Sequence, residues 1–130
     1  MKGHDVLFSH KSDHWSTPKD LYNRLDDEFG FDYDPCPLRG KKDGLDSNWN
    51  GVAFCNPPYS NSRAFIEKAI SEIKKGRCKL AVFLLPARTD TSWFHDLIYN
   101  NYEIRFIRGR LKFGNSKNSA PFPSMIVIIR

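Results

Sequence analysis

The chain has 130 residues, enough for one domain around one core. Its hydrophobic share of 40% and charged share of 27% suit an ordinary globular protein, and no apolar stretch approaches the roughly 20 residues needed to cross a bilayer. A net charge of +5 favours a polyanionic partner, and the polar start from Met1 to Ser12 lacks a signal-peptide core, so a cytoplasmic protein without a membrane role is expected.

Residues 1–14 read as a flexible arm, and residues 15–130 as a single domain without internal repeat or linker. Thr17 is suited to cap a helix and Pro18 to open it. Leu21, Tyr22, Leu25 and Phe29 follow at helical spacing until Gly30, giving about three turns. Trp15 either staples this helix or lines a pocket. Phe31-Asp32-Tyr33-Asp34 alternates as a short strand does, and Pro35-Cys36-Pro37 ends it. Residues 38–50 form a loop with Leu45 and Trp49 turned inward. Val52-Ala53-Phe54-Cys55 is a buried strand, and Asn56-Pro57-Pro58-Tyr59 lies where it gives way to a helix. That helix carries Phe65, Ile66, Ala69, Ile70 and Ile73 on one face, is capped by Ser60, Asn61 or Ser62, and stops at Gly76.

The stretch from Lys79 to Leu85 is almost wholly apolar, as in a strand covered on both faces. Asp90 or Thr91 opens a third helix bearing Trp93, Phe94, Leu97 and Ile98, which ends at Asn100-Asn101. Strands are then expected over 102–107, 110–113 and 124–129, with a polar loop from Gly114 to Pro123. Strands alternating with helices predict an α/β fold with a largely parallel sheet, and the close spacing of the last strands admits an antiparallel pair.

Three cysteines, Cys36, Cys55 and Cys78, make no disulfide framework and fit a reducing compartment. His4, His10 and His14 match no zinc spacing, so no metal is expected. Two basic groups stand out. Arg39, Lys41 and Lys42 form one. Arg105, Arg108, Arg110, Lys112 and Lys117 form the other, and each group is either a solvated face or a set of phosphate contacts. Arg88, Thr89 and Asp90, after the central strand, either touch nucleic acid or shape the site, or are no more than a helix cap and a surface arginine.

The tetrapeptide carries the chemistry. An exocyclic amino group on a base is a poor nucleophile because its lone pair is delocalised, so a site must hold the nitrogen toward an electrophilic carbon. Asn56 offers a side-chain oxygen. Pro57 offers a carbonyl whose direction the next proline restricts, and Tyr59, read as exposed, can stack on a base. The gain is near-attack geometry and stabilised charge, with no metal or general-base histidine required.

Further segments accompany Phe54-Cys55-Asn56-Pro57-Pro58-Tyr59: Trp15-Ser16-Thr17-Pro18, the stretch from Asp43-Gly44-Leu45 to Trp49, Leu84-Leu85-Pro86-Ala87-Arg88-Thr89-Asp90-Thr91 with Trp93-Phe94-His95, Arg108-Gly109-Arg110-Leu111-Lys112-Phe113, and Ser119-Ala120-Pro121-Phe122-Pro123-Ser124. Together they resemble the phage-type, Dam-like DNA N6-adenine methyltransferases, a family of S-adenosylmethionine-dependent amino methyltransferases, across nearly the whole chain from Trp15. The resemblance implies a compact, trimmed Rossmann-like sheet, mostly parallel with an antiparallel C-terminal strand. It implies methyl transfer from S-adenosylmethionine to adenine N6 in double-stranded DNA, after base flipping, by a monomer or homodimer in a bacterial host cell or encoded by a phage. Asn56, Pro57, Pro58 and Tyr59 would be catalytic. Trp15, Ser16, Thr17, Pro18, Asp34, Pro35 and Cys36, with Asn56, would bind the cofactor. Arg88, Thr89, Arg108, Arg110, Lys112 and Lys117 would meet DNA.

The sequence departs from larger methyltransferases in lacking a glycine-rich loop after the first strand, where Asp34-Pro35-Cys36-Pro37 stands instead. Asp43 or Asp46 is then either a ribose ligand or a solvated loop acid. Phe113 or Phe122 is placed against the flipped base or on the DNA, with core packing the other reading for Phe113. Rival readings are the same chemistry on cytosine N4, an RNA base or a protein glutamine, and a nucleic-acid-binding module that has kept the fold without the cofactor.

Overall fold

In the computed structural model, residues 15–37, 44–114 and 117–130 are described. The expected arm, its three histidines, the group Arg39, Lys41 and Lys42, and the candidate Asp43 lie outside them.

The ordered elements are α1 (Lys19–Phe29), β1 (Gly51–Cys55), a 3-10 turn (Tyr59–Asn61), α2 (Ser62–Lys74), β2 (Cys78–Pro86), a π-helical turn (Phe94–Ile98), β3 (Glu103–Phe106) and β4 (Ser124–Ile129). The strands form one open sheet in the order β1-β2-β4-β3. β1 and β2 pair in parallel, and β4 runs antiparallel to both β2 and β3. Ahead of β1, Tyr33 makes a single parallel bridge to Ala53, flanked by Asp32 N–H to the Val52 carbonyl (2.8 Å) and Phe54 N–H to the Tyr33 carbonyl (2.9 Å).

The sheet is therefore mixed, where the sequence predicts a mostly parallel one. The C-terminal strand is antiparallel as expected, and it lies between β2 and β3. That placement replaces a would-be parallel pair by two antiparallel pairs.

Both faces of the sheet are covered, which explains why β4 is buried along its whole length and β2 along most of it. Ala81, Phe83 and Leu85 of β2 face α2 and the π turn, in one cluster with Trp49, Ile66 and Ile98. Val82 and Leu84 face the other way, in a cluster with Leu25 of α1, Phe54, Phe113 and Phe122. Alternation along one strand thus feeds two half-cores.

Several local expectations shift. Pro18, not Thr17, is the N-cap of α1, and no side chain caps that end; the Thr17 hydroxyl is engaged elsewhere. Of the three candidate caps for α2, Asn61 takes the position. Thr91 rather than Asp90 opens the third helical segment, its hydroxyl accepting the Phe94 N–H at 3.4 Å. That segment is wound as a π turn closed by Tyr99 N–H to the Phe94 carbonyl (2.8 Å). Residues 110–113 form no strand. Gly109 turns the chain at φ 76°, and the Leu111 carbonyl accepts from Ala120 within the same loop, at 2.7 Å.

Candidate active site

The register brings one edge of the sheet together. Cys55 pairs with Phe83, Pro86 with Ser124, and Phe106 with Met125. The residues after β1, β2 and β3 and those before β4 consequently gather at the carboxyl edge of the parallel pair, where open α/β sheets bind ligands. Asn56-Pro57-Pro58-Tyr59, Arg88-Thr89 and the loop 107–123 all start there. The loop ends are pinned by Ala87 N–H to the Pro123 carbonyl (2.9 Å) and Ile107 N–H to the Ser124 carbonyl (3.0 Å).

Asn56 sits at the centre, only 4% exposed. Its side-chain nitrogen donates to the Trp15 carbonyl and to Thr17 Oγ1, the latter at 2.9 Å. The segment Trp15-Ser16-Thr17 is held from its other side as well. Gly114 N–H donates to the Ser16 carbonyl at 2.9 Å, and Trp15 packs on Phe113 (ring centroids 5.3 Å) and Phe122 (5.7 Å). A methyl group at Gly114 would come within 3.0 Å of Ser16 Oγ, so this close approach suits glycine.

Pro57 is buried and Pro58 half-buried, and Pro58 is extended at φ −57°, ψ 127° before the chain tightens into the 3-10 turn. Tyr59 is not the exposed aromatic that its sequence position suggests. It is half-buried, meets Phe122 edge-on at 5.3 Å and Phe113 at 6.5 Å, and its hydroxyl is fully enclosed, which pushes its pKa up. Phe113 and Phe122 are themselves buried, so both belong to the core while forming the surroundings of Tyr59. Arg88 extends over the outer face of Phe122, 5.9 Å from its centroid.

Beside Asn56 opens a cleft of about 310 Å³ lined by Ser16, Thr17, Lys19, Tyr22, Asp34 and Phe54. The Tyr33 bridge to Ala53 places Asp34 at its rim, and Asp34 Oδ1 accepts the Cys36 N–H at 2.9 Å, closing a tight turn. Pro35 is buried behind this turn. A side chain at Gly44 would collide with the Pro35 carbonyl at 2.2 Å, so the returning loop also needs glycine here.

Of the residues assigned to the cofactor from sequence, Ser16, Thr17 and Asp34 line the cleft and Asn56 adjoins it through Thr17. Trp15, Pro18, Pro35 and Cys36 build its frame, and Asp46 is exposed on the loop before β1. Lys19, Tyr22 and Phe54 also line it; in the sequence Tyr22 and Phe54 read only as helix and strand residues, and Lys19 is not singled out. Lys19 and Tyr22 stand three apart on one face of the helix that follows Thr17, a spacing readable in the sequence.

Arg88, Thr89, Arg108, Arg110, Lys112 and Lys117 are all exposed, and they follow β2 or belong to the loop 107–123. Arg105 departs from its basic neighbours. It bonds Glu28 twice at 2.7 Å and Glu103 at 2.8 Å, so its charge is spent on α1 and its own strand.

The family model described as DNA N-6-adenine-methyltransferase (Dam) matches residues 6–130, nearly all of the chain. The chain belongs to the Dam family. Two relatives within it are phage proteins, each named DNA N-6-adenine-methyltransferase. That of Haemophilus phage HP1 (strain HP1c1) is 30% identical over 81% of this chain and 68% of its own length. That of Escherichia phage T1 is 30% identical over 76% of this chain, which spans 46% of that relative's length. Within the Dam-family chain, the matched region takes in every element of the sheet and the whole carboxyl edge just described.

Proposed function

We propose that this chain transfers a methyl group from S-adenosylmethionine to the N6 amino group of adenine in double-stranded DNA, on a trimmed Rossmann-like scaffold. The observation that carries this is the direct hydrogen bond between Asn56 and Thr17, which joins the tetrapeptide to the cleft beside it.

The donor set of the cleft fits the cofactor. Lys19 and Asp34 supply one positive and one negative side chain on the walls of a single cleft, which complements an amino-acid moiety carrying a carboxylate and an ammonium. Tyr22 and Phe54, whose rings meet edge-on at 5.1 Å, give it an apolar wall. When bound, S-adenosylmethionine supplies an electrophilic methyl group. The chain's own residues do the rest. The Asn56 oxygen and the Pro57 carbonyl accept hydrogens of the adenine amino group and orient its nitrogen, and Tyr59 receives the base beside Phe122. Arg88, Thr89, Arg108, Arg110, Lys112 and Lys117, exposed around this edge, contact the phosphates. Among the described residues no helix is long and apolar enough to cross a membrane. The phage origin of both relatives supports action on DNA in the cytoplasm of a bacterial host.

Labelled-methyl transfer to unmethylated duplex DNA, followed by nucleoside analysis, tests the proposal. Label in N6-methyladenine is the expected result. Label in cytosine, RNA or protein would move the activity to a rival amino group. No transfer with the cofactor bound in calorimetry overturns the proposal, and no cofactor binding at all favours a nucleic-acid-binding module.

A further inference from the structure

We propose that Trp15 and Thr17 form a polarity lock on Asn56, which fixes the oxygen edge of its amide toward the substrate and makes an amide, rather than a carboxylate, the working group of this site. The inference rests on the reading of Asn56 as the acceptor for an amino group. It assigns Thr17 a positioning role beyond lining the cofactor cleft.

A backbone carbonyl can only accept hydrogen bonds. The edge of Asn56 that faces the Trp15 carbonyl must therefore be its NH2 group. The Thr17 hydroxyl can donate or accept, so it does not choose the orientation. It takes the second N–H once the first is committed, at 2.9 Å. Both donors of the amide are then used on one side, and the oxygen, enclosed in this structure, is left on the other, where an incoming base has to displace what covers it. An amide turned the other way could still take a hydrogen from the Thr17 hydroxyl, but it would set oxygen against the Trp15 carbonyl and present NH2 to an incoming amino group, losing the Trp15 bond and the bond to the substrate. Asn56 is 4% exposed, so water cannot compensate for the wrong orientation.

The lock is itself anchored. Gly114 N–H holds the Ser16 carbonyl at 2.9 Å, and the Trp15 ring lies against Phe113 and Phe122, so the carbonyl and hydroxyl are delivered by a segment gripped from the loop 107–123. Thr17 also lines the cleft proposed for the cofactor. One side chain thus touches both the cofactor side and the base side of the site.

A carboxylate at position 56 would bring two acceptors together at Trp15. Only its protonated form could donate there, so an Asn56→Asp enzyme should work better as the pH falls. The titratable groups that line the cleft are Asp34 and Lys19, of opposite charge, and the phenol of Tyr22; the Tyr59 phenol packs on the same face of the sheet, and the thiols of Cys36 and Cys55 belong to the cluster on the other face. All are present in the wild type, so its profile supplies the reference.

Two measurements test the lock. In nuclear magnetic resonance of the 15N-labelled chain, both side-chain amide protons of Asn56 should be protected from exchange. Thr17→Val should remove protection from one, and Thr17→Ser should restore it. Rapid exchange of both in the wild type overturns the proposal whether or not the chain is active. In single-turnover methyl transfer at saturating cofactor, Thr17→Val should be slowed about 10- to 100-fold and Thr17→Ser by less than about 3-fold. Asn56→Asp should show a rate that rises toward low pH, unlike the wild type. A Thr17→Val enzyme with a wild-type saturated rate and a raised KM for cofactor alone would reduce Thr17 to a cofactor contact. An Asn56→Asp enzyme with wild-type rate and pH profile would refute the lock. Absence of transfer by the wild type, with the amide protons protected as expected, would count against the assigned reaction and not against the lock.

Discussion

Glu72 Oε1 accepts the backbone N–H of Trp49 at 2.8 Å, and both side chains are completely buried. Arg77 holds the same carboxylate at 3.0 and 2.5 Å, and Lys68 approaches it at 3.5 Å. Trp49 in turn donates its ring N–H to the Gly44 carbonyl at 2.7 Å. The buried acid on α2 thereby ties down the stretch 44–50 that leads into β1 and so to Asn56.

The Arg77 hydrogen bond, assisted by the Trp49 N–H, holds the Glu72 carboxyl down at about 2 against the desolvation that opposes it. The unfolded chain takes up this proton first, near the ordinary glutamate value of about 4.3. The contribution of Glu72 to stability is therefore complete above that value and is lost as pH falls through about 2. Denaturant midpoints should fall for the wild type over this window. Glu72→Gln should be less stable at neutral pH, by about 1–3 kcal/mol, with a flatter acid profile. An unchanged midpoint at neutral pH would remove Glu72 from this role.

Asn56→Ala should abolish methyl transfer and also weaken the fold. Sequence position alone suggests a residue outside the core, whose loss the fold would hardly notice. Instead, its side chain bridges to Trp15 and Thr17 from a buried site, and removal strands a carbonyl and a hydroxyl. Urea denaturation should show a cost of about 1–3 kcal/mol. No measurable cost would mean that the two hydrogen bonds contribute nothing net to the folded state.

Tyr59→Phe should be neutral or mildly stabilising, and it should keep most of the transfer activity. The enclosed hydroxyl has no hydrogen-bond partner among the described residues, so the ring alone contributes. Tyr59→Ala should lose activity and about 2 kcal/mol of stability, less than a full core truncation because the ring is half-buried. Steady-state kinetics and thermal melts of both variants separate the ring from the hydroxyl. A Phe variant as damaged as the Ala variant would overturn this division.

The exposed cations of the loop should behave unlike Arg105. Removing Arg108, Arg110 or Lys112 singly should weaken duplex binding, and should reduce the slope of log affinity against log salt by about 0.9 for each phosphate that the variant no longer neutralises. Arg105→Ala should leave that slope unchanged, because its guanidinium is engaged by Glu28 and Glu103. Fluorescence anisotropy across a salt series reads the difference. A fall in slope for Arg105→Ala would place it on the DNA after all.

Much of this protein is determined by the order of its residues. The apolar runs ending at Cys55, Leu85 and Ile129 specify buried strands, because such stretches can satisfy both packing and the backbone ladder only inside a sheet. The helical spacing of Leu21, Tyr22, Leu25 and Phe29, closed by Gly30, specifies α1, and the place of the tetrapeptide between a buried strand and the helical turn after it is legible from residue types. Glu72 stands seven residues after Phe65 and three after Ala69, on the inner face of α2, but the sequence reading of that face takes in only its apolar residues, and nothing local names the partners that a buried acid needs.

The tertiary structure decided what local pattern cannot encode. β4 lies between β2 and β3 with its side chains divided between the two half-cores, and register across strands is a long-range property. Residues 110–113 alternate like a strand, yet Phe113 turns in against Trp15 and the ladder never forms. Thr17 has the chemistry of a helix cap but gives its hydroxyl to a residue 39 positions away, because a buried amide with an unsatisfied N–H would lose more than an uncapped helix end that water can reach.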